Sequence, residues 1–271
     1  MNSKGPIGIF DSGYGGLTVF KEIHQALPQY DYIYLGDNAR VPYGTRSFEA
    51  VYTFTKECVF KLFDLGCNLV ILACNTASAK ALRTIQQHDL PAGKKVLGVI
   101  RPTTERVEHY THTNNIGILA TEGTVRSNSY PIEINKFHPE IAVYQQACPF
   151  WVPLVENNDI HSEGAHYFVK SDIERLLAQS PDIDSIVLAC THYPLLLPII
   201  EKYVPKGIKV LAQGALVANS LADYLQRHPE VESNCSKEGQ LQFYTTDDPR
   251  DFEEKAEVFF ERKVKASHIK V

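Results

Sequence analysis

The chain has 271 residues with 44% apolar content, enough for a substantial core in one large domain or two of ordinary size. Its net charge of −5 comes from well-mixed signs, which excludes the basic stripe of a nucleic-acid binder, and no apolar run approaches the ~18 residues of a membrane span. Residues 1–5 lead straight into an apolar run, so no secretory signal is visible and the chain reads as cytoplasmic.

Strand-like runs alternate with helical patterns along the chain. The first run, 6–10, ends at Asp11-Ser12 before a glycine-rich turn; Ser12 taken alone reads as a residue near a helix N-cap. The second, 32–35, is followed by a polar loop that offers Asp37, Arg40, Tyr43 and the backbone of Gly44, although a plain surface loop has the same composition. A helix is predicted over 49–65, with apolar residues near 3.6-residue spacing. The third run, 69–73, stops at Cys74 and gives way to Asn75-Thr76, and the fourth covers 95–99. The fifth, 116–120, precedes Thr121 and Thr124, which alone read as capping residues; the sixth covers 141–144. Glu156 follows Val152-Pro153-Leu154-Val155 and in isolation is a solvated carboxylate. The seventh run, 186–189, reaches Cys190 and then Thr191-His192, and the eighth covers 209–212. A helix at 216–227, a strand at 241–245 and a helix at 249–264 complete the pattern.

Several of these runs are apolar on both faces, as central strands of a parallel sheet covered by helices must be. The eight runs also fall into two sets of four. The segment 7–16 resembles 116–125, 41–44 resembles 152–155, 71–77 resembles 187–193 and 95–98 resembles 209–212, in the same order and with slowly drifting offsets. This internal repeat predicts an α/β protein of two similar three-layer domains with parallel-rich sheets. Cys74 and Cys190 stand at equivalent points of the repeat, each just past a strand's carboxyl end, where open α/β sheets bind ligands. If the domains face each other through those ends, one thiol enters a shared interdomain cleft from each side.

Two opposed thiols suit a particular chemistry. One sulfur, as thiolate, removes a proton from one face of a tetrahedral carbon, and the other, as thiol, returns a proton to the opposite face. The configuration inverts without a cofactor. The helices expected to begin at Asn75-Thr76 and Thr191-His192 would offer exposed N–H groups to anions there. One thiol must be charged and the other neutral, so a bell-shaped pH dependence is expected. The remaining cysteines, Cys58, Cys67, Cys148 and Cys235, read as small buried hydrophobes, and no Cys-x-x-Cys pair suggests structural zinc. Two other classes stay open on these residues. One is a cysteine hydrolase with Cys190 as nucleophile and His192 as base, which leaves Cys74 idle. The other is an amino-acid binding module in which both cysteines merely pack.

At these positions the sequence resembles the cofactor-independent glutamate racemases of bacteria. The matching stretches are Phe10-Asp11-Ser12-Gly13 with Gly15-Gly16, Gly36-Asp37-Asn38-Ala39-Arg40 with Pro42-Tyr43-Gly44, Ala73-Cys74-Asn75-Thr76-Ala77, Ala120-Thr121 with Gly123-Thr124, Val152-Pro153-Leu154-Val155-Glu156, and Cys190-Thr191-His192-Tyr193-Pro194-Leu195-Leu196. The resemblance implies interconversion of L- and D-glutamate at a site between two α/β domains, with D-glutamate feeding peptidoglycan synthesis. An aspartate racemase or another amino-acid racemase of the same superfamily would share the chemistry.

The resemblance further implies that Cys74 takes the α-proton from D-glutamate and Cys190 from L-glutamate, assisted by Asp11, His192, Asp37 and Glu156. Asp11, Ser12, Tyr43, Gly44, Asn75, Thr76, Thr121, Thr124, Thr191 and His192 would line the substrate. It implies a discontinuous first domain, 1–100 with 213–271, around a second, 101–212. No cofactor, metal, nucleic acid or membrane is expected; dimers occur often in the family, and a homodimer is left open. Ala189 departs from the glycine common before the second cysteine, an extra methyl that removes no chemistry.

Overall fold

The computed structural model describes residues 4–271; residues 1–3, on which part of the leader reading rests, lie outside the described residues. The chain divides into two compact units, one that runs to Val99 and resumes at Gly214, and one formed by Ile100–Gln213.

The first unit is built on β1 (Ile7–Asp11), β2 (Tyr32–Gly36), β3 (Leu69–Leu72), β4 (Lys95–Gly98), β9 (Leu241–Thr245) and β10 (Ala266–His268). They pair in the order β10-β9-β2-β1-β3-β4, every pair parallel. Every residue of β1, β2 and β3 is buried, while the outer strand β4 is partly exposed. Burial on both faces is why these three strands read as unbroken apolar runs rather than alternating ones. The sequence patterning shows eight strands plus one; β10 was not anticipated. It is three residues long and polar, and it adds to the sheet edge because the last helix stops early. That helix is Pro249–Phe260, not 249–264, since Glu261 takes a left-handed conformation (φ 58°) that turns the chain back alongside β9.

The second unit carries β5 (Asn115–Ala120), β6 (Ala142–Ala147), β7 (Ser185–Ala189) and β8 (Lys209–Ala212), all parallel, in the order β6-β5-β7-β8. The repeat seen in the sequence is thus a repeat of topology: β2-β1-β3-β4 in the first unit and β6-β5-β7-β8 in the second. In each, the chain first steps to one side of its opening strand and then crosses to the other. The reversal opens a crevice between β1 and β3, and between β5 and β7, the place where open α/β sheets hold ligands. Both cysteines that end a strand lie at these crevices.

Helices close the faces. Helix Phe48–Asp64 buries Val51, Cys58, Val59 and Leu62 into the core that includes Phe10, Val70 and Leu72. Helix Gly16–Ala26 packs on helix Gly214–Arg227, and its Phe20 sits in an aromatic cluster with Tyr32, Tyr34, Phe243 and Phe260. The start of helix Gly16–Ala26 needs a glycine. A Cβ on Gly16 would lie 2.5 Å from the Asp11 Cβ and 3.0 Å from that of Ala73. The missing side chain lets the helix seat directly on the ends of β1 and β3.

Candidate active site

In the first unit the switch-point crevice gathers Asp11, Ser12 and Cys74. Asp11 is the last residue of β1 and is buried; its Oδ1 accepts from the Gly13 N–H at 2.8 Å, folding the chain into a tight turn. The neighbouring strand continues past β3 with the Ala73 N–H donated to the Phe10 carbonyl at 2.7 Å, which brings Cys74 beside that turn. Ser12 Oγ lies 3.5 Å from Cys74 Sγ. The capping role suggested by the sequence is not the one Ser12 plays: helix Gly16–Ala26 starts at a Gly15 N-cap with no side-chain cap, and the serine faces the thiol instead. Cys74 is itself the N-cap of helix Asn75–Lys80, its Sγ accepting from the Ala77 N–H at 3.4 Å. An N–H aimed at sulfur favours negative charge there. Asn75 and Thr76 form the buried first turn of this helix.

The 36–44 loop forms a second cluster in the same unit. Asp37 is wholly buried and accepts from Arg40 Nε at 2.7 Å, from Thr246 Oγ1 at 2.9 Å and from the Tyr43 hydroxyl. Arg40 also pairs with Glu57, reaches Cys58 Sγ at 3.4 Å and stacks over Phe54 at 4.4 Å. The bonds of the Asp37 carboxylate therefore go to the loop and to β9's end rather than to Cys74. Burial, and then the Asp37 charge, push the Tyr43 phenol far above its ordinary range, so it remains a neutral donor. Tyr43 is buried and Gly44, next to it, is half-buried in a turn. The hydroxyls of Thr245 and Thr246 were missed in the sequence reading. Their signal was present, a polar pair at the carboxyl end of a strand, the same region that marked the other loops.

In the second unit, Thr121 caps helix Glu122–Ser127 by accepting from the Thr124 N–H, and the two hydroxyls lie 3.1 Å apart. Cys190 follows β7 directly. Its Sγ is 3.9 Å from His192 Nδ1, and His192 Nε2 is 2.9 Å from Glu156 Oε1. His192 is almost fully buried, whereas Glu156, at the end of helix Trp151–Glu156, keeps about a fifth of its side chain (22%) exposed. The expected helix start at Thr191-His192 is displaced. A 3-10 turn begins at Tyr193, with Pro194 in its first turn, and helix Leu197–Tyr203 follows with Pro198 in its own. Proline favours the first turn of a helical segment, so these two prolines set where each piece begins. Burial disfavours a charge on His192, but its hydrogen bonds to Cys190 and Glu156 and their negative charge prevail, raising the imidazole to about 10. Thr191 is buried between the cysteine and the histidine.

The other four cysteines are buried free thiols. Burial pushes Cys67 up to about 12 and Cys235 to about 11, and lifts Cys58 and Cys148 as well, so all four stay neutral packing groups. Among the described residues, one group, Glu108, His138 and Glu140, has the proximity of metal ligands, and it shares no residue with either cysteine loop. No helix is long and apolar enough to cross a membrane among the described residues.

A sequence profile for Asp/Glu/Hydantoin racemase matches residues 7–221. The glutamate racemase of Roseobacter denitrificans is 40% identical over 271 aligned residues, covering 96% of this chain and 98% of that protein. Among solved structures, a glutamate racemase isoform from Bacillus anthracis superposes with a TM-score of 0.90 at 32% identity, covering 98% of each chain. The Francisella tularensis glutamate racemase, solved in complex with D-glutamate, superposes at 0.88 with 30% identity and again 98% of each chain.

Two all-parallel α/β sheets, each carrying a thiol at its switch point, together with these relatives define an isomerase of the amino-acid racemase class. The chain belongs to the Asp/Glu/Hydantoin racemase family.

Proposed function

We propose that this enzyme interconverts L- and D-glutamate by a two-base mechanism in which Cys74 and Cys190 act on opposite faces of one α-carbon. Support comes from the placement of the thiols: each follows the strand across the switch point of its own sheet, at equivalent positions of a repeated topology. Glutamate as substrate is supported by relatives that carry that name over nearly the full chain.

Cys74, as thiolate, removes the α-proton of D-glutamate while Cys190 protonates the other face; for L-glutamate the roles exchange. The difficult step is loss of a weakly acidic proton, which loads charge onto the neighbouring carboxylate. Donors aimed at that carboxylate stabilise the transition state more than the ground state. Ser12, Tyr43, the Gly44 backbone, Asn75, Thr76, Thr121, Thr124 and Thr191 are the groups assigned to hold the substrate. His192, kept as imidazolium by Glu156, stabilises the Cys190 thiolate or returns a proton to it. Asp11 and Ser12 serve the Cys74 side, Asp11 by shaping the turn that carries Ser12. Asp37 acts at one remove, by fixing Tyr43 and Arg40. No cofactor or metal takes part in this scheme.

By the same reading the product D-glutamate serves peptidoglycan synthesis in the cytoplasm, and a homodimer is compatible with it. The test is α-hydrogen exchange in heavy water, run on both enantiomers of glutamate and of aspartate with wild type, Cys74→Ser and Cys190→Ser. Deuterium should enter both glutamate enantiomers with wild type, and racemisation should be lost in each variant. Retained racemisation in Cys74→Ser would favour a single-cysteine enzyme, and a preference for aspartate would reassign the substrate.

A further inference from the structure

Tyr34 lies on β2, wholly buried, with its ring against Phe20, Phe243 and Phe252. Its hydroxyl leaves this apolar cluster to donate to the Gly13 carbonyl at 2.8 Å. Gly13 is thus gripped on both sides: Tyr34 takes its C=O, and Asp11 Oδ1 takes its N–H at 2.8 Å. The residue between Asp11 and Gly13 is Ser12, whose Oγ is 3.5 Å from Cys74 Sγ. No side chain caps the helix that follows, so nothing in a helix cap holds this turn.

The second unit lacks the device. Ile9 of β1 pairs with Tyr34, and its counterpart in the repeat, Ile118 of β5, pairs with Gln145. Gln145 gives its amide to Asn128, and the loop there is closed by the Thr121 cap instead.

We infer that Tyr34 is a positioning residue for the Cys74 side of the reaction, acting through the Gly13 carbonyl to hold Ser12 against the thiol. The inference rests on the two-cysteine reading. A displaced Ser12 leaves the Cys74 proton transfer less well arranged while Cys190, His192 and Glu156 are untouched, and misplacement of this kind is costly to rate.

The enantiomers of a racemase substrate have equal free energy, so kcat/KM must fall equally in both directions and cannot report which thiol is impaired. Primary deuterium isotope effects can. In Tyr34→Phe, kcat/KM should fall about tenfold, a loss in keeping with one buried hydrogen bond. The isotope effect should rise for α-deuterated D-glutamate, whose proton goes to Cys74, and fall for α-deuterated L-glutamate. Tyr32→Phe is the control, since it removes an equally buried hydroxyl on the same strand, donated to the Leu27 carbonyl at 2.8 Å. It should leave both isotope effects unchanged. Ser12→Ala, at a half-buried position, gives the same asymmetry by a route that does not disturb the aromatic cluster. Isotope effects in Tyr34→Phe and Ser12→Ala that match those of Tyr32→Phe, with Cys74→Ser inactive, overturn the positioning role and leave the two-cysteine reading standing. A Cys74→Ser enzyme that still racemises removes both.

Discussion

The two cysteine loops share a plan and differ in how they manage charge. Cys74 has an uncharged hydroxyl and a backbone N–H among its partners, Ser12 at 3.5 Å and Ala77 at 3.4 Å. Around Cys190 they are titratable, an imidazole at 3.9 Å backed by a carboxylate at 2.9 Å from its far nitrogen. A repeated fold fixed where the thiols sit, because the switch point follows from strand order. It did not fix their electrostatics, because those depend on which side chains the loops carry. The lesson is that symmetry of topology permits asymmetry of chemistry, as a proton moved alternately in two directions allows.

The comparison breaks most severely if the thiols are not equivalent in importance. Cys74→Ser and Cys190→Ser should each lower kcat/KM by about 10³-fold or more, measured by circular dichroism on both enantiomers. A large difference between the two would mean that only one thiol is a base.

Next comes the buried Asp37. Arg40→Met removes its counter-ion while leaving the carboxylate at zero exposure, so unfolding in urea should show a loss of about 3 kcal/mol. Glu57→Gln, at the exposed end of the same arginine, should cost well under 1 kcal/mol.

Glu156→Gln sharpens the contrast between the loops. It should lower kcat about tenfold to a hundredfold and move the alkaline limb of the pH–rate profile downward, because the carboxylate helps hold His192 at about 10. The same shift has a stability consequence. A histidine whose folded value exceeds its unfolded ~6.5 contributes stability in full below that pH, and the contribution is lost as pH rises through about 10. The Tm difference between wild type and Glu156→Gln should therefore be largest near pH 6 and shrink toward pH 10.

The smallest effect is expected at Thr121→Val, which deletes the cap of a six-residue helix and should cost about 1 kcal/mol, read as a small fall in Tm.

Much of this was legible in the sequence wherever the governing interaction is local. Strands buried on both faces wrote themselves as apolar runs, and the cysteines stood out because each ended one. Cys190, His192 and Glu156 were all picked out by motif. Ser12 taken alone reads as a cap, and only the resemblance placed it at the site, because its partner is 62 residues away. Prolines at 194 and 198 pushed back the helix after Cys190, a shift of a few residues that the apolar pattern does not resolve. Thr245, Thr246 and Tyr34 act through partners in loops distant along the chain, and β10 is too short to announce itself.

The sequence alone determined the α/β class, the twofold repeat and the two strand-ending thiols, since hydrophobic burial and chain order act residue by residue along the chain. Only the tertiary structure decided that Ser12 faces Cys74, that Asp37 is locked to Arg40, Tyr43 and Thr246, and that His192 bridges Cys190 to Glu156. The Ser12–Cys74, Thr246–Asp37 and Glu156–His192 contacts join loops far apart in sequence, which the parallel pairing of the sheets brings within hydrogen-bond reach, while the shorter-range contacts depend on how each loop folds.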